Sequence, residues 1–210
     1  MFINYDSIIL SDPSDNIIFE QKIRNIYIDF NHPIDLDKFS KISSLKSIFF
    51  NDDFNNIIYS SNNNTSIKDL IFGDSFNQNI DNLPMGIEKI IFGKSFNQKI
   101  DNLPHSLKIL ILGENFDQNI DFLPIELKHL SLGNNFNKNI EDLPNSIETL
   151  NLGFWFRSDI INLPSNLKKL NLSWVYNKPI YKFPDGLEKI KLSRYYKFNL
   201  PPTNAKINYI

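Results

Sequence analysis

Six times between residues 83 and 184 the chain repeats an apolar-proline pair at an interval of 20 residues: Leu83-Pro84, Leu103-Pro104, Leu123-Pro124, Leu143-Pro144, Leu163-Pro164 and Phe183-Pro184. With the first residue of each pair as position 1, position 5 is Ile87, Leu107, Leu127, Ile147, Leu167 and Leu187. Position 8 is Ile90, Leu110, Leu130, Leu150, Leu170 and Ile190, and position 10 is Phe92 followed by five leucines. Position 14 is aromatic throughout (Phe96, Phe116, Phe136, Phe156, Tyr176, Tyr196), and position 18 is Ile or Leu. A fixed period of this length implies a solenoid, in which each unit buries its apolar face only against its neighbours. Stacking alone accounts for most residues, which weighs against an enzyme.

The pattern drifts towards the N-terminus. Turns begin near Ile23, Leu45 and Ile67 at 22-residue steps, with Asn63-Asn64 where Leu-Pro would stand. Two extra residues fit in a loop opposite the strand. The expected organisation is an N-terminal cap over residues 1–22, then a solenoid over 23–210 of about nine turns. A truncated last repeat follows, with Ile207 and Ile210 at positions 5 and 8. Ile8-Ile9-Leu10 reads as a strand and Asp12-Pro13-Ser14-Asp15 as a turn.

Within a turn, apolar positions 8 and 10 alternate with mostly polar 7 and 9, the period of a half-buried strand. One short strand per turn stacks into a parallel sheet. Proline at position 2 belongs in the return segment. Gly73, Gly93, Gly113, Gly133 and Gly153 at position 11 suit a tight bend or a positive φ. Twenty residues leave little room for a helix, so the outer segments are expected to be irregular or 3-10. The fold class is therefore a repeat solenoid of short parallel strands, mainly β.

Composition narrows function by exclusion. A net charge of −2 gives no global attraction to nucleic acid or an anionic membrane. No apolar run approaches the length that spans a bilayer, and the first residues lack a signal peptide's basic and apolar regions. The chain has no cysteine, hence no disulfide or thiolate metal site, which fits a reducing compartment. The 30 Asn and 32 Ile are far above ordinary usage, as AT-rich codons would produce. No His/Glu/Asp cluster has metal-ligand spacing and no serine sits in a nucleophile motif. No catalytic residue, metal or other cofactor is expected.

The segment Leu107-Lys108-Ile109-Leu110-Ile111-Leu112 resembles the leucine-rich repeat. Phe76-Asn77-Gln78-Asn79-Ile80, Phe96-Asn97-Gln98-Lys99-Ile100 and Phe136-Asn137-Lys138-Asn139-Ile140 are more similar to the FNIP repeat, named for its Phe-Asn-x-x-Ile element. That resemblance implies an origin among social amoebae or the giant DNA viruses that infect them. It also implies a protein-interaction role, in the host cytoplasm if the source is viral. Relatives often carry an N-terminal F-box. Residues 1–44 lack its Leu-Pro start and helical leucine spacing.

Two features depart from the repeat's own logic. Position 9, facing out from the sheet, reads Tyr27, Phe49, Ile71, Ile91 and Ile111, with Ile109 beside them at position 7. It then turns polar at Ser131, and the face becomes basic at Lys169, Lys189 and Lys191. Positions 12 and 13, polar in earlier turns, carry Phe154, Trp155, Trp174 and Tyr195. Contiguous apolar surface, and Trp or Tyr beside Arg157 and Arg194, are the chemistry of protein interfaces. The expected function is a non-enzymatic protein-protein interaction scaffold with an unidentified protein partner. No nucleic acid or membrane partner is expected. The alternative is a carbohydrate- or nucleic-acid-binding protein that uses the aromatic patch.

Two columns have a simpler explanation. Asn77, Asn97 and Asn137 at position 15 are expected to satisfy backbone groups in the bend. Asp81, Asp101, Asp121 and Glu141 at position 19 are expected to be solvated or to serve the turn.

Overall fold

The computed structural model describes residues 2–4, 6–15, 22–61 and 65–210. Asn63 and Asn64 lie outside the described residues. Fourteen strands follow in chain order among those described: β1 (Phe2–Asn4), β2 (Ser7–Leu10), β3 (Asn25–Ile28), β4 (Ile34–Asp35), β5 (Ser47–Phe50), β6 (Ile58–Tyr59) and β7 (Asp69–Ile71). Then come β8 (Lys89–Ile91), β9 (Ile109–Ile111), β10 (His129–Ser131), β11 (Thr149–Asn151), β12 (Lys169–Asn171), β13 (Lys189–Leu192) and β14 (Lys206–Tyr209). Twelve of them form one sheet, parallel from β2 onward, with β1 antiparallel at its edge. β4 and β6 pair separately, and one 3-10 helix covers Leu36–Phe39. The molecule is a parallel β-solenoid of about ten turns.

From β7 to β13 register follows the 20-residue repeat without slip. Leu110 pairs with Leu130, Leu130 with Leu150, and Leu150 with Leu170. Each strand of the large sheet is three or four residues long because only positions 7 to 9 or 10 run straight before the chain bends. Positions 5, 8, 10, 14 and 18 form one continuous buried column set, with Leu107, Leu110 and Phe116 fully buried.

The aromatic rings at position 14 stack turn upon turn, from 6.0 Å between Phe54 and Phe76 to 6.4 Å between Tyr176 and Tyr196. On the sheet face, the rings of Tyr27 and Phe49 are 4.7 Å apart, the spacing of paired strands. Wider spacing behind and narrower spacing in front curves the stack, with the sheet face on the inside. In the early turns position 10 fills the wider gaps: Phe92 lies 3.7 Å from Phe96, and Phe72 lies 4.1 Å from Phe76.

Two expectations change. No described glycine has a positive φ. Glycine is needed at position 11 because each turn crowds the one before: a Cβ on Gly113 would lie 1.7 Å from the Gly93 carbonyl oxygen. The last repeat also shifts. Ile207 pairs with Ile190 and so takes position 8, not position 5. The return through Leu200-Pro201-Pro202 is three residues shorter than the 20-residue beat allows, and the Arg194 N–H closes it onto the Ile210 carbonyl at 3.0 Å.

Candidate functional site

Strand pairing places the position 9 side chains in one row across the inside of the curve. Tyr27 pairs with Phe49, Phe49 with Ile71, Ile71 with Ile91, and Ile91 with Ile111. Each is half-buried, because it packs against the residue above and below while its outer surface stays open. Ile109 is also half-buried, at the neighbouring column between Lys89 and His129. Sequence reading missed a sixth member. Ile9 pairs with Tyr27 and extends the row. The signal was present in Ile8-Ile9-Leu10, but a segment without a preceding repeat gives no register.

The second group sits at the bend that follows the strand. Phe154 and Trp155 are exposed and meet edge to face, with ring centroids 4.6 Å apart. The Arg157 guanidinium lies over the Trp155 ring at 5.6 Å. Trp174, one turn on at the position of Phe154, and Tyr195, two turns on at the position of Trp155, are exposed as well. The row and this aromatic ridge are separate surfaces, one in each half of the solenoid.

The position 15 column does what its residue type suggests. The Asn97 N–H donates to Asn77 Oδ1 at 2.9 Å, the Asp117 N–H to Asn97 Oδ1 at 2.9 Å, and the Asn137 N–H to Asp117 Oδ1 at 3.1 Å. At position 6 most neighbours from Lys68 onward are opposite in sign, Lys108 and Lys128 excepted, and two glutamates pair across turns. Glu88 lies 2.7 Å from Lys108 and 3.0 Å from Lys68, and Glu148 lies 2.7 Å from Lys168 and 3.4 Å from Lys128. Lys108 and Lys68 hold the Glu88 carboxyl below its usual range, as Lys168 and Lys128 do for Glu148. At position 19, Asp81 accepts hydrogen bonds from the side-chain amides of Asn79 (2.7 Å) and Asn102 (3.1 Å), a turn-stabilising role.

Among the described residues no group of three or more His, Asp or Glu side chains is placed to hold a metal ion. A shallow pocket of about 260 Å³ lies where Ile161, Leu163, Lys182 and Phe183 meet, below the ordinary size of a ligand site. No described helix is long and apolar enough to cross a membrane.

The FNIP Repeat family matches four overlapping segments, 65–95, 79–115, 96–135 and 116–155. Together these matches to the FNIP repeat span residues 65–155, a little under half of the chain. The fold is similar to that of CroV588, a giant-virus protein whose crystal structure is described as a novel circular LRR protein structure. The TM-score is 0.59 at 28% identity, over 89% of this chain and 36% of that one, so this chain spans about a third of that protein. No curated protein is significantly similar. The FNIP segment contains Ile71, Ile91, Ile109 and Ile111 of the apolar row together with Phe154 and Trp155 of the ridge.

Proposed function

We propose that this protein is a non-enzymatic interaction scaffold that holds a protein partner against the inside of its curve. The observation that carries the reading is the apolar row from Ile9 to Ile111. Six residues in strand register present a continuous, half-buried apolar strip on the sheet face. A stacked sheet is rigid, so the strip is already in its binding geometry and docking costs little ordering entropy. FNIP and leucine-rich-repeat architecture supports the reading, because such solenoids work by presenting extended surfaces. The exposed aromatic ridge around Trp155 and Trp174 offers the same partner a second contact. The absence of cysteine from the sequence suits work in the reducing cytoplasm.

The test is a double substitution, Ile71→Ser with Ile91→Ser. Serine already stands at this position as Ser131, so the sheet accommodates it. The variant should fold as the parent does. Proteins captured by the parent from a lysate of its source cells should bind it about thirtyfold more weakly, the loss of a central hot spot. Undiminished binding of those proteins would exclude the row, and saturable binding to glycans with no protein retained would exclude the scaffold.

A further inference from the structure

The charge of this chain is strongly divided. Residues 161–210 hold nine Lys or Arg against two Asp or Glu, a net of +7, while residues 1–160 hold 13 against 22, a net of −9. The near-neutral total hides this. On the sheet face the excess takes an ordered form. Lys169 pairs in register with Lys189, and Lys189 with Lys206, so three lysines stand one above another in the position 7 column. Lys191 stands beside them at position 9. All four are exposed, and among the described residues none of their ammonium groups has an ion-pair or hydrogen-bond partner.

This departs from how the same chain treats charge one residue earlier. At position 6 Glu88 and Glu148 each stand between two lysines and pair with both across the turns. At position 7 it places like charges directly opposite each other on paired strands, an arrangement that opposes folding. Among the described residues no ion pair compensates the ladder, and it lies on the same inward face as the apolar row, beyond Ser131. Beside it, the Asn171 side-chain amide donates to the Asn151 side chain, leaving a polar strip with hydrogen-bonding groups to spare.

We infer that the Lys169–Lys189–Lys206 ladder receives a short acidic segment of the protein partner, whose apolar segment lies on the Ile9–Ile111 row. The inference rests on the scaffold reading for the identity of the anion as protein. Dimensions favour a peptide over a nucleic acid. Three rungs at about 4.8 Å span only about 10 Å, room for a few carboxylates. A longer polyanion would run on towards residues 1–160, whose net charge is −9, and be repelled. A partner with an apolar stretch next to a brief acidic run matches both halves of the face and has only one orientation on it.

The experiment uses a fluorescein-labelled hexaglutamate peptide as probe, titrated with the whole protein by anisotropy at about 50 mM salt, where exposed charges are weakly screened. The parent should bind it, and added salt should release it. Lys169→Gln/Lys189→Gln/Lys206→Gln should weaken binding about tenfold or more. Lys68→Gln/Lys108→Gln/Lys128→Gln, with the same change in net charge but at paired lysines, should change it less than about twofold. Ile71→Ser/Ile91→Ser should bind hexaglutamate as the parent does, so failure of the apolar row and failure of the ladder are read separately. Absence of hexaglutamate binding, or equal losses in the two lysine triples, overturns the inference. So does equal or tighter ladder-dependent binding of a six-nucleotide oligothymidine, which would make nucleic acid the occupant. A low-salt dimer of the parent in sedimentation velocity, abolished by the ladder triple, would make a second copy of this chain the occupant and overturn it as well.

Discussion

The backbone N–H of Asn97 is held by the side-chain oxygen of Asn77, one turn earlier, and Asn97 in turn holds the N–H of Asp117. The relation extends from Asn31 through Asn55 to Arg157, whose N–H is the last to be received before the series lapses. At this bend the N–H points along the solenoid axis, where no strand partner accepts it, and a short side chain with an oxygen reaches it from the turn before. Asn97→Leu removes the acceptor and keeps the bulk. It should destabilise the protein by about 1–3 kcal/mol in denaturant melts. Asn97→Asp keeps an acceptor, as Asp117 does naturally, and should cost less than half as much.

Phe116 is fully buried between Phe96 at 6.1 Å and Phe136 at 6.2 Å. Position 10 of its turn is Leu112, so no second ring stands ready to fill the space. Phe116→Ala should cost about 3–5 kcal/mol through the cavity it leaves. Chemical denaturation of parent and variant gives the value directly, and a loss under about 1 kcal/mol would contradict the role assigned to the aromatic stack.

Gly113 sits against the backbone of Gly93, and a methyl group there meets a carbonyl oxygen and carbon rather than a movable side chain. Gly113→Ala should cost about 1–3 kcal/mol from overpacking. The effect opposes the stabilisation that alanine normally brings by restricting the unfolded chain. Ser173 and Ser193 occupy the same position near the C-terminal end, so the crowding belongs to the glycine turns.

The core and its register were legible in the sequence because the repeat samples each position many times. Leu110, Leu130 and Leu150 read as equivalent residues, and they are strand partners. The Asn column was legible for the same reason. Where turn length changes, that statistical support disappears. Counting 20 residues from Leu187 puts Ile207 at position 5, whereas the short Pro201-Pro202 return brings it to position 8. The same miscount concealed Lys206 as the third rung of the lysine ladder, just as the missing upstream repeat concealed Ile9. The reason for glycine was not legible either, since crowding by the preceding turn leaves no mark in a single repeat.

Tyr176 continues the aromatic stack into the C-terminal turns, and its hydroxyl is buried there. The Ile160 N–H comes near its oxygen without reaching hydrogen-bond geometry, so among the described residues the hydroxyl has no partner. Tyr196, by contrast, donates to the Lys178 carbonyl at 3.0 Å. Tyr176→Phe should therefore be neutral or stabilising by up to about 1 kcal/mol, whereas Tyr196→Phe should be destabilising. Burial also pushes the Tyr176 hydroxyl well above the usual tyrosine range. The folded state thus retains a proton that the unfolded chain releases near pH 10, so stability is intact below that pH and declines as pH rises beyond it. In Tyr176→Phe the alkaline decline of the melting temperature should be shallower than in the parent.

The lysine ladder makes a prediction that does not involve a partner. Lys189 lies between Lys169 and Lys206 in register, with Lys191 nearby on the same strand. Two unit charges about 4.8 Å apart repel by about 1 kcal/mol in water before salt screens them. Lys189→Glu turns two repulsive cross-strand pairs into attractive ones. It should raise stability by about 0.5–1 kcal/mol at low ionic strength. The gain should shrink towards zero near 1 M salt, where the Debye length is about 3 Å. The comparable exchange at a paired site, Lys108→Glu beside Glu88, should destabilise instead. If both substitutions lower the melting temperature alike, the ladder carries no electrostatic cost, and the contrast between positions 6 and 7 does not reflect retention of charge for binding.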